Sequence, residues 1–220
     1  MSELSINFDT SELRAKLETL KHVKNGAPKA VMRAMNRSLD GMKADASREV
    51  SARYINITPT DVKGSKAKGT ASMLALKKAS MSDMSAEMIG TGRPRALITF
   101  KTRRNKSPGR KGAASAFARV MEAESGGHIP SAFMATVKSD KNPSNLHSGV
   151  FVRTGKFARM AKGSSVGQVR EQIRKLHGPG IMQMLDNEDV RKAIQDGAVK
   201  RFDKRIDHEI KHILDRETKT

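Results

Sequence analysis

Two histidines four residues apart, His208 and His212, are the first feature with chemical potential. On a helix that spacing puts both rings on one face, where a pair of imidazoles can hold a transition metal. A metal needs further ligands, and Glu209 falls off the face that the two histidines share. A solvated polar face on a terminal helix is the simpler account. His177 is an acid–base group by type, but it stands ahead of Gly178-Pro179-Gly180 with no nucleophile to serve. The chain has no cysteine, and no serine sits in a Gly-x-Ser-x-Gly setting. Glu122 and Glu124, two residues apart, do not set up the opposed carboxylates of a glycosidase. Gly90-Thr91-Gly92 runs into Arg93-Pro94 rather than into a third glycine or Gly-Lys-Ser/Thr, and Pro94 would obstruct the helix that a phosphate loop needs. No catalytic, cofactor-binding or metal-binding residue can be assigned, and a non-enzymatic role is expected.

Charge is the stronger signal. The 220 residues hold 42 Lys+Arg against 23 Asp+Glu, a formal net charge of +19. A field of that size repels copies of itself and attracts polyanions or acidic proteins. Its densest run is Lys101, Arg103, Arg104, Lys106, Arg110 and Lys111, with no acid between them, and Ser107-Pro108-Gly109 marks it as a loop. These six residues are the candidate contacts to DNA or to an acidic partner. Single-strand binders interleave aromatics for base stacking, and only Phe100 flanks this run. Sequence-specific reading is therefore not expected, whereas nonspecific contact with phosphate needs charge alone. The absence of cysteine excludes a disulfide framework and thiolate metal sites. The N-terminus lacks the basic and apolar regions of a secretory signal, and no apolar run approaches the ~20 residues of a membrane-spanning helix.

The elements that must carry these residues follow from periodicity. Leu13, Leu17 and Leu20 share one face of a short helix over 12–24, with Asp9-Thr10-Ser11 as its cap and Asn25-Gly26 as its stop. Val31, Met35, Leu39, Met42, Ala46 and Val50 repeat at helical spacing over 28–54, with Gly41 as a mild cost in the middle. Thr58 or Thr60 caps a turn at 61–63. Residues 65–78 are basic and weakly patterned. Strands are expected over 84–91 and 96–102, joined as a hairpin by Gly92-Arg93-Pro94, and again over 132–138 and 149–153. Residues 117–122 suit a strand or a helix. Residues 154–167 form a small, basic, Gly/Ser-rich arm, and 168–176 a short helix. After the Gly178-Pro179-Gly180 turn, Asn187 caps a long helix whose stripe is Val190, Ile194, Ala198, Phe202, Ile206, Ile210 and Ile213. The expected class is α+β: a small antiparallel sheet from the strands at 84–102, 132–138 and 149–153, packed by a long N-terminal and a long C-terminal helix, with extended basic loops. One domain is expected over 1–220, with a helical part at 1–55, sheet and loops at 65–155, arm and turn at 156–180 and a helical part at 181–214.

Taken in order, these features resemble the minor tail protein Z family of long-tailed phages. Ala30-Val-Met-Arg-Ala-Met-Asn-Arg-Ser38 is similar to that family's Ala-Leu-Asn-Arg helix. Tyr54-Ile-Asn-Ile-Thr58, the strand ending Leu97-Ile-Thr-Phe100, and Gly149-Val-Phe-Val-Arg153 follow in the family's order. Leu176-His-Gly-Pro-Gly-Ile-Met-Gln-Met-Leu185 resembles the family's Leu-Tyr-Gly-Pro-Ser segment, with His177 and Gly180 as departures, and a Phe-x-x-x-Ile helix follows from Phe202. The resemblance spans most of the chain, and Gly178, Pro179, Gln183 and Met184 are its most specific residues, a candidate assembly turn. It implies a structural protein without catalytic residues or cofactors. Such a protein is made in the host cytoplasm and sits in the virion at the head-proximal end of the tail, where it helps complete the tail and join it to the head. The implied partners are the tail terminator, tail tube and head connector, with a homo-oligomeric ring, six-fold like the tail tube, and contact with phage DNA. The rival reading is a nonspecific basic nucleic-acid-binding protein.

Overall fold

The computed structural model describes residues 3–4, 10–64, 71–105, 115–138, 146–161 and 166–218. The chain divides into two compact units. The first comprises Met1–Ser51, Thr58–Gly92 and Ile181–Thr220, and the second Ala52–Ile57 and Arg93–Gly180. Long helices combine with antiparallel strands, so the α+β class holds.

The first unit is built on two long helices. α1 (Thr10–Glu18) leads into α2 (Gly26–Arg53), and α5 (Glu188–Glu217) packs against them. The stripe expected on the last helix is the buried one: Val190, Ile194, Ala198, Phe202 and Ile206 are all at most 2% exposed. On α2 the first turns are rotated by one residue from expectation. Ala30 and Ala34 are fully buried, while Val31 and Met35 are half-buried. The reason is the partner: Phe202 and Ile206 fill the space over Ala30 and Ala34, and small residues let two helices approach closely around a large one. Asn187 Oδ1 accepts from Val190 N at 3.3 Å, as an N-cap should.

A buried charge pair joins the same two helices. Asp45 on α2 has a side chain only 9% exposed, and its Oδ2 lies 2.8 Å from Arg201 Nη2 on α5. Both helices make room with glycine. A Cβ on Gly41 would lie 2.5 Å from Arg201 Cδ, and one on Gly197 would lie 2.9 Å from Asp45 Oδ2. Gly41, a mild helix cost from sequence, is the seat of the arginine.

The unit's sheet has the order β1-β3-β2, from β1 (Glu3–Leu4), β2 (Leu74–Lys77) and β3 (Glu87–Gly90). Asn36 of α2 fastens the chain just after β2, donating Nδ2 to Ala79 O at 2.9 Å and accepting Ala79 N at 2.8 Å through Oδ1. Asn36 belongs to the Ala30–Ser38 segment that carries the resemblance. α3 (Pro59–Lys63) has Thr58 as its cap, in a reciprocal box with Asp61 and with Pro59 in the first turn. α4 (Ile181–Leu185) buries Ile181, Met184 and Leu185.

The second unit holds two more sheets, β4-β5-β6 and β7-β8-β9. Their strands are β4 (Lys101–Asn105), β5 (Ser115–Arg119), β6 (Gly127–Pro130), β7 (Ala132–Lys138), β8 (Leu146–Arg159) and β9 (Val169–Lys175). The expected hairpin over 132–138 and 149–153 is present, with Phe133 opposite Phe151, and β8 runs further in both directions.

Several expectations are corrected. The strands assigned to one sheet fall in three. β3 pairs with β1 and β2 instead of forming a hairpin with the segment after Pro94. Residues Leu97–Thr99 form a 3-10 turn, and the following strand, β4, pairs with β5. Lys101–Asn105 is therefore a strand and not part of a loop; its alternation is satisfied by pairing that the sequence does not display. Of residues 117–122, expected as a strand or a helix, 117–119 lie in strand β5. The short helix expected over 168–176 is strand β9, and part of the expected arm belongs to β8. Val-Arg-Glu-Gln-Ile-Arg-Lys has fair helix formers, but cross-strand pairing outweighs propensity at this length.

Candidate partner and nucleic-acid surfaces

Strand alternation sorts the basic residues of β4. Lys101 and Arg103 lie on one face, opposite Arg119 and Phe117 of β5, and Phe117 in turn faces His128 of β6. The Arg103 guanidinium sits 4.6 Å from the Phe117 ring centroid, within the range of a cation–π contact. Phe117 and His128 meet edge to face at 5.5 Å. The arrangement puts a row of cations beside an aromatic, which suits phosphate or an acidic side chain. Among the described residues neither Lys101 nor Arg103 has an acidic partner. Arg119 does: it reaches Glu122 Oε2 at 3.0 Å and the carbonyls of Met121 and Glu122. That pairing also accounts for Glu122. Arg104 falls on the opposite face and donates Nη2 to Met134 O at 3.2 Å. It ties β4 to β7 and does not join the cationic row. Lys106, Arg110 and Lys111 lie outside the described residues.

The candidate assembly turn is a packing device on the second unit's side. Gly178 N donates to Arg95 O at 2.8 Å, and Leu97 N donates to Leu176 O at 3.0 Å. A Cβ on Gly178 would lie 2.5 Å from Phe100 Cε2, so glycine lets the chain pass against a buried ring. A Cβ on Gly180 would likewise lie 3.0 Å from Arg93 O. Pro179 stands between them, half-buried. Within the first unit Met184 is fully buried and Gln183 is exposed. His177 is exposed, and its main chain bridges to Ala96.

His208 and His212 stack at 6.5 Å between ring centroids and border an open cleft of about 650 Å³. Arg33, Arg37, Asp40 and Lys78 line the rest of it, with Arg33 3.7 Å from Glu209 and Lys78 3.1 Å from Asp40. Among the described residues no group of three or more His, Cys, Asp or Glu could hold a metal. No described helix is long and apolar enough to cross a membrane.

Sequence reasoning missed a second surface. On β8 and β9, Leu146, Phe157, Val169 and Ile173 are exposed, Phe157 to 69%, as are Met160 and Val166 in the connection between the two strands. An open groove of about 1290 Å³ is lined by Phe133, Arg153, Phe157, Met160 and every residue of β9. Arg153 covers the Phe133 ring at 5.5 Å. The available signal was the alternation in Val169–Lys175, hidden by its charge content.

No family model, curated protein or solved structure matches the chain.

Proposed function

We propose that this chain is a structural protein of tail completion in a long-tailed phage, placed in the virion at the head-proximal end of the tail. It acts there by protein–protein contact rather than by catalysis. The observation that supports this reading best is the pairing of cationic and apolar surface in the second unit, at Lys101, Arg103 and Phe117 and again along β9. Exposed apolar side chains flanked by cations suit binding to acidic proteins better than they suit an isolated soluble chain. The resemblance to the minor tail protein Z family supplies the partners: terminator, tube and head connector, with the chain as a ring of six matching the symmetry of the tube.

The double substitution Lys101→Glu/Arg103→Glu tests the role of the cationic row. Both side chains are exposed or half-exposed, so the fold should survive, as far-UV circular dichroism would report. Infectious titre should drop sharply, with heads that lose DNA or remain without tails. Full titre from this variant would remove the row from the function.

The rival reading, nonspecific nucleic-acid binding, is favoured by one observation, the Arg103–Phe117–His128 cluster. It requires tight, salt-sensitive DNA binding by the isolated chain, and the double substitution would then lower the salt slope by about two. Binding that is weak and flat with salt excludes it.

A further inference from the structure

We propose that the groove along β9 accepts an extended acidic segment of a partner protein as a fourth strand of the β7-β8-β9 sheet. The proposal deepens the assembly reading, on which it rests only for the kind of molecule that supplies the strand.

Three observations carry it. The first is the edge. β9 ends the order β7-β8-β9 and has no second strand neighbour among the described residues. In an antiparallel pair, residues alternate between exchanging main-chain hydrogen bonds with the neighbour and pointing those groups away. A seven-residue strand therefore offers unpaired N–H and C=O groups along its outer side, the template for strand addition.

The second is the shape. All of β9's residues line the groove, so it follows the edge itself. Val169, Ile173 and Phe157 stand exposed on one face, since Ile173 is opposite Arg153 and Phe157 opposite Glu171. Apolar side chains at alternate positions of an incoming strand would cover them. Cationic residues on an edge strand by themselves guard against aggregation. Such a guard does not explain why Val169 and Ile173 are left open within it.

The third is the charge. Arg153, Arg170, Arg174 and Lys175 surround the groove. Glu171 is the one acid lining it among the described residues, and it is engaged within the sheet. Its Oε1 accepts Gly155 N at 2.9 Å, and its Oε2 lies 3.4 Å from Arg153 Nη1. Thr154 Oγ1 donates to Gln172 O at 3.0 Å, so the irregularity in β8 between Arg153 and Phe157 is itself bonded to β9. What remains is positive. A second copy of the same edge is repelled by it, and an acidic segment is attracted. Single-stranded nucleic acid would want a run of aromatic platforms, whereas Phe133 lies under Arg153 and Phe157 stands alone among the non-aromatic Val169, Ile173 and Met160.

The test uses the full chain and a fluorescent peptide of about eight residues, long enough for one strand, in which glutamate alternates with valine. Anisotropy should report saturable binding. A lysine–valine peptide of the same length should bind at least tenfold more weakly, and Ile173→Glu or Phe157→Glu should weaken the glutamate–valine peptide by about tenfold or more. Both side chains are exposed, so folding is checked by circular dichroism and should not change. On binding, β9 amides should gain protection from hydrogen exchange. The proposal is overturned by equal binding of the two peptides, by unchanged affinity in both variants, or by binding that leaves β9 unprotected. It is also overturned if a thymidine oligonucleotide, and not the peptide, occupies the groove, or if the chain self-associates through this edge. Should the peptide fail while Lys101→Glu/Arg103→Glu still abolishes particles, the assembly reading stands without this site.

Discussion

Asp45→Ala should destabilise the helical unit by about 3 kcal/mol, because it leaves Arg201 between two helices without its counter-charge. The carboxylate is nearly buried and the arginine side chain is about two-thirds buried, so the arginine can recover only part of its hydration. Its stem is also held, because it occupies the space that Gly41 leaves. A chemical denaturation curve would read the loss. Asp45→Leu combined with Arg201→Met should restore stability to within about 1 kcal/mol of the original, since a packed apolar pair replaces an ion pair at little net cost. If Asp45→Ala changed the midpoint hardly at all, the pair would be a surface contact and not a fastening between α2 and α5.

Phe202→Ala should cost about 3–5 kcal/mol, the range for deleting a buried aromatic and leaving a cavity. Phe202 is 2% exposed and packs in one cluster with Leu20, Ala30, Ala34, Ile206 and Ile213. Ala30 and Ala34 are too small to collapse into the gap, and the helices around it are long and cannot close over a single position. Phe202→Leu keeps most of the volume and should cost under about 1.5 kcal/mol. Thermal melts followed by far-UV circular dichroism would separate the two variants. Equal melts would mean that the α1–α2–α5 cluster is not what holds the unit.

These two residues mark how far the sequence can be read. Phe202 was legible, because a helical stripe sustained from Val190 to Ile213 is a repeated signal that burial alone explains. Asp45 was not, because the reason for a buried carboxylate lies in Arg201, far away in the chain, and in the two glycines opposite. The same contrast runs through the strands. The hairpin around Phe133 and Phe151 was legible, since two β-rich segments lie near each other with a polar turn between them. β9 was not, since Val169–Lys175 is charged enough to suit a helix and becomes a strand only through its pairing with β8. At the candidate surface, the run from Lys101 showed its charge but not its sides. Alternation leaves Lys101 and Arg103 together and turns Arg104 to Met134. The Gly178-Pro179-Gly180 segment was legible as a break between elements, while the Phe100 ring that demands glycine at 178 was not.

A place at the head-proximal end of a phage tail can be seen by imaging. The chain would be tagged at its exposed C-terminal region, and particles from the host that makes it would be purified and viewed by electron microscopy with a gold label against the tag. Label is expected at the junction of head and tail on most tailed particles, with none at the distal tip. Label confined to the distal tip, or tailed particles that carry none while the chain stays in the soluble fraction, would contradict it.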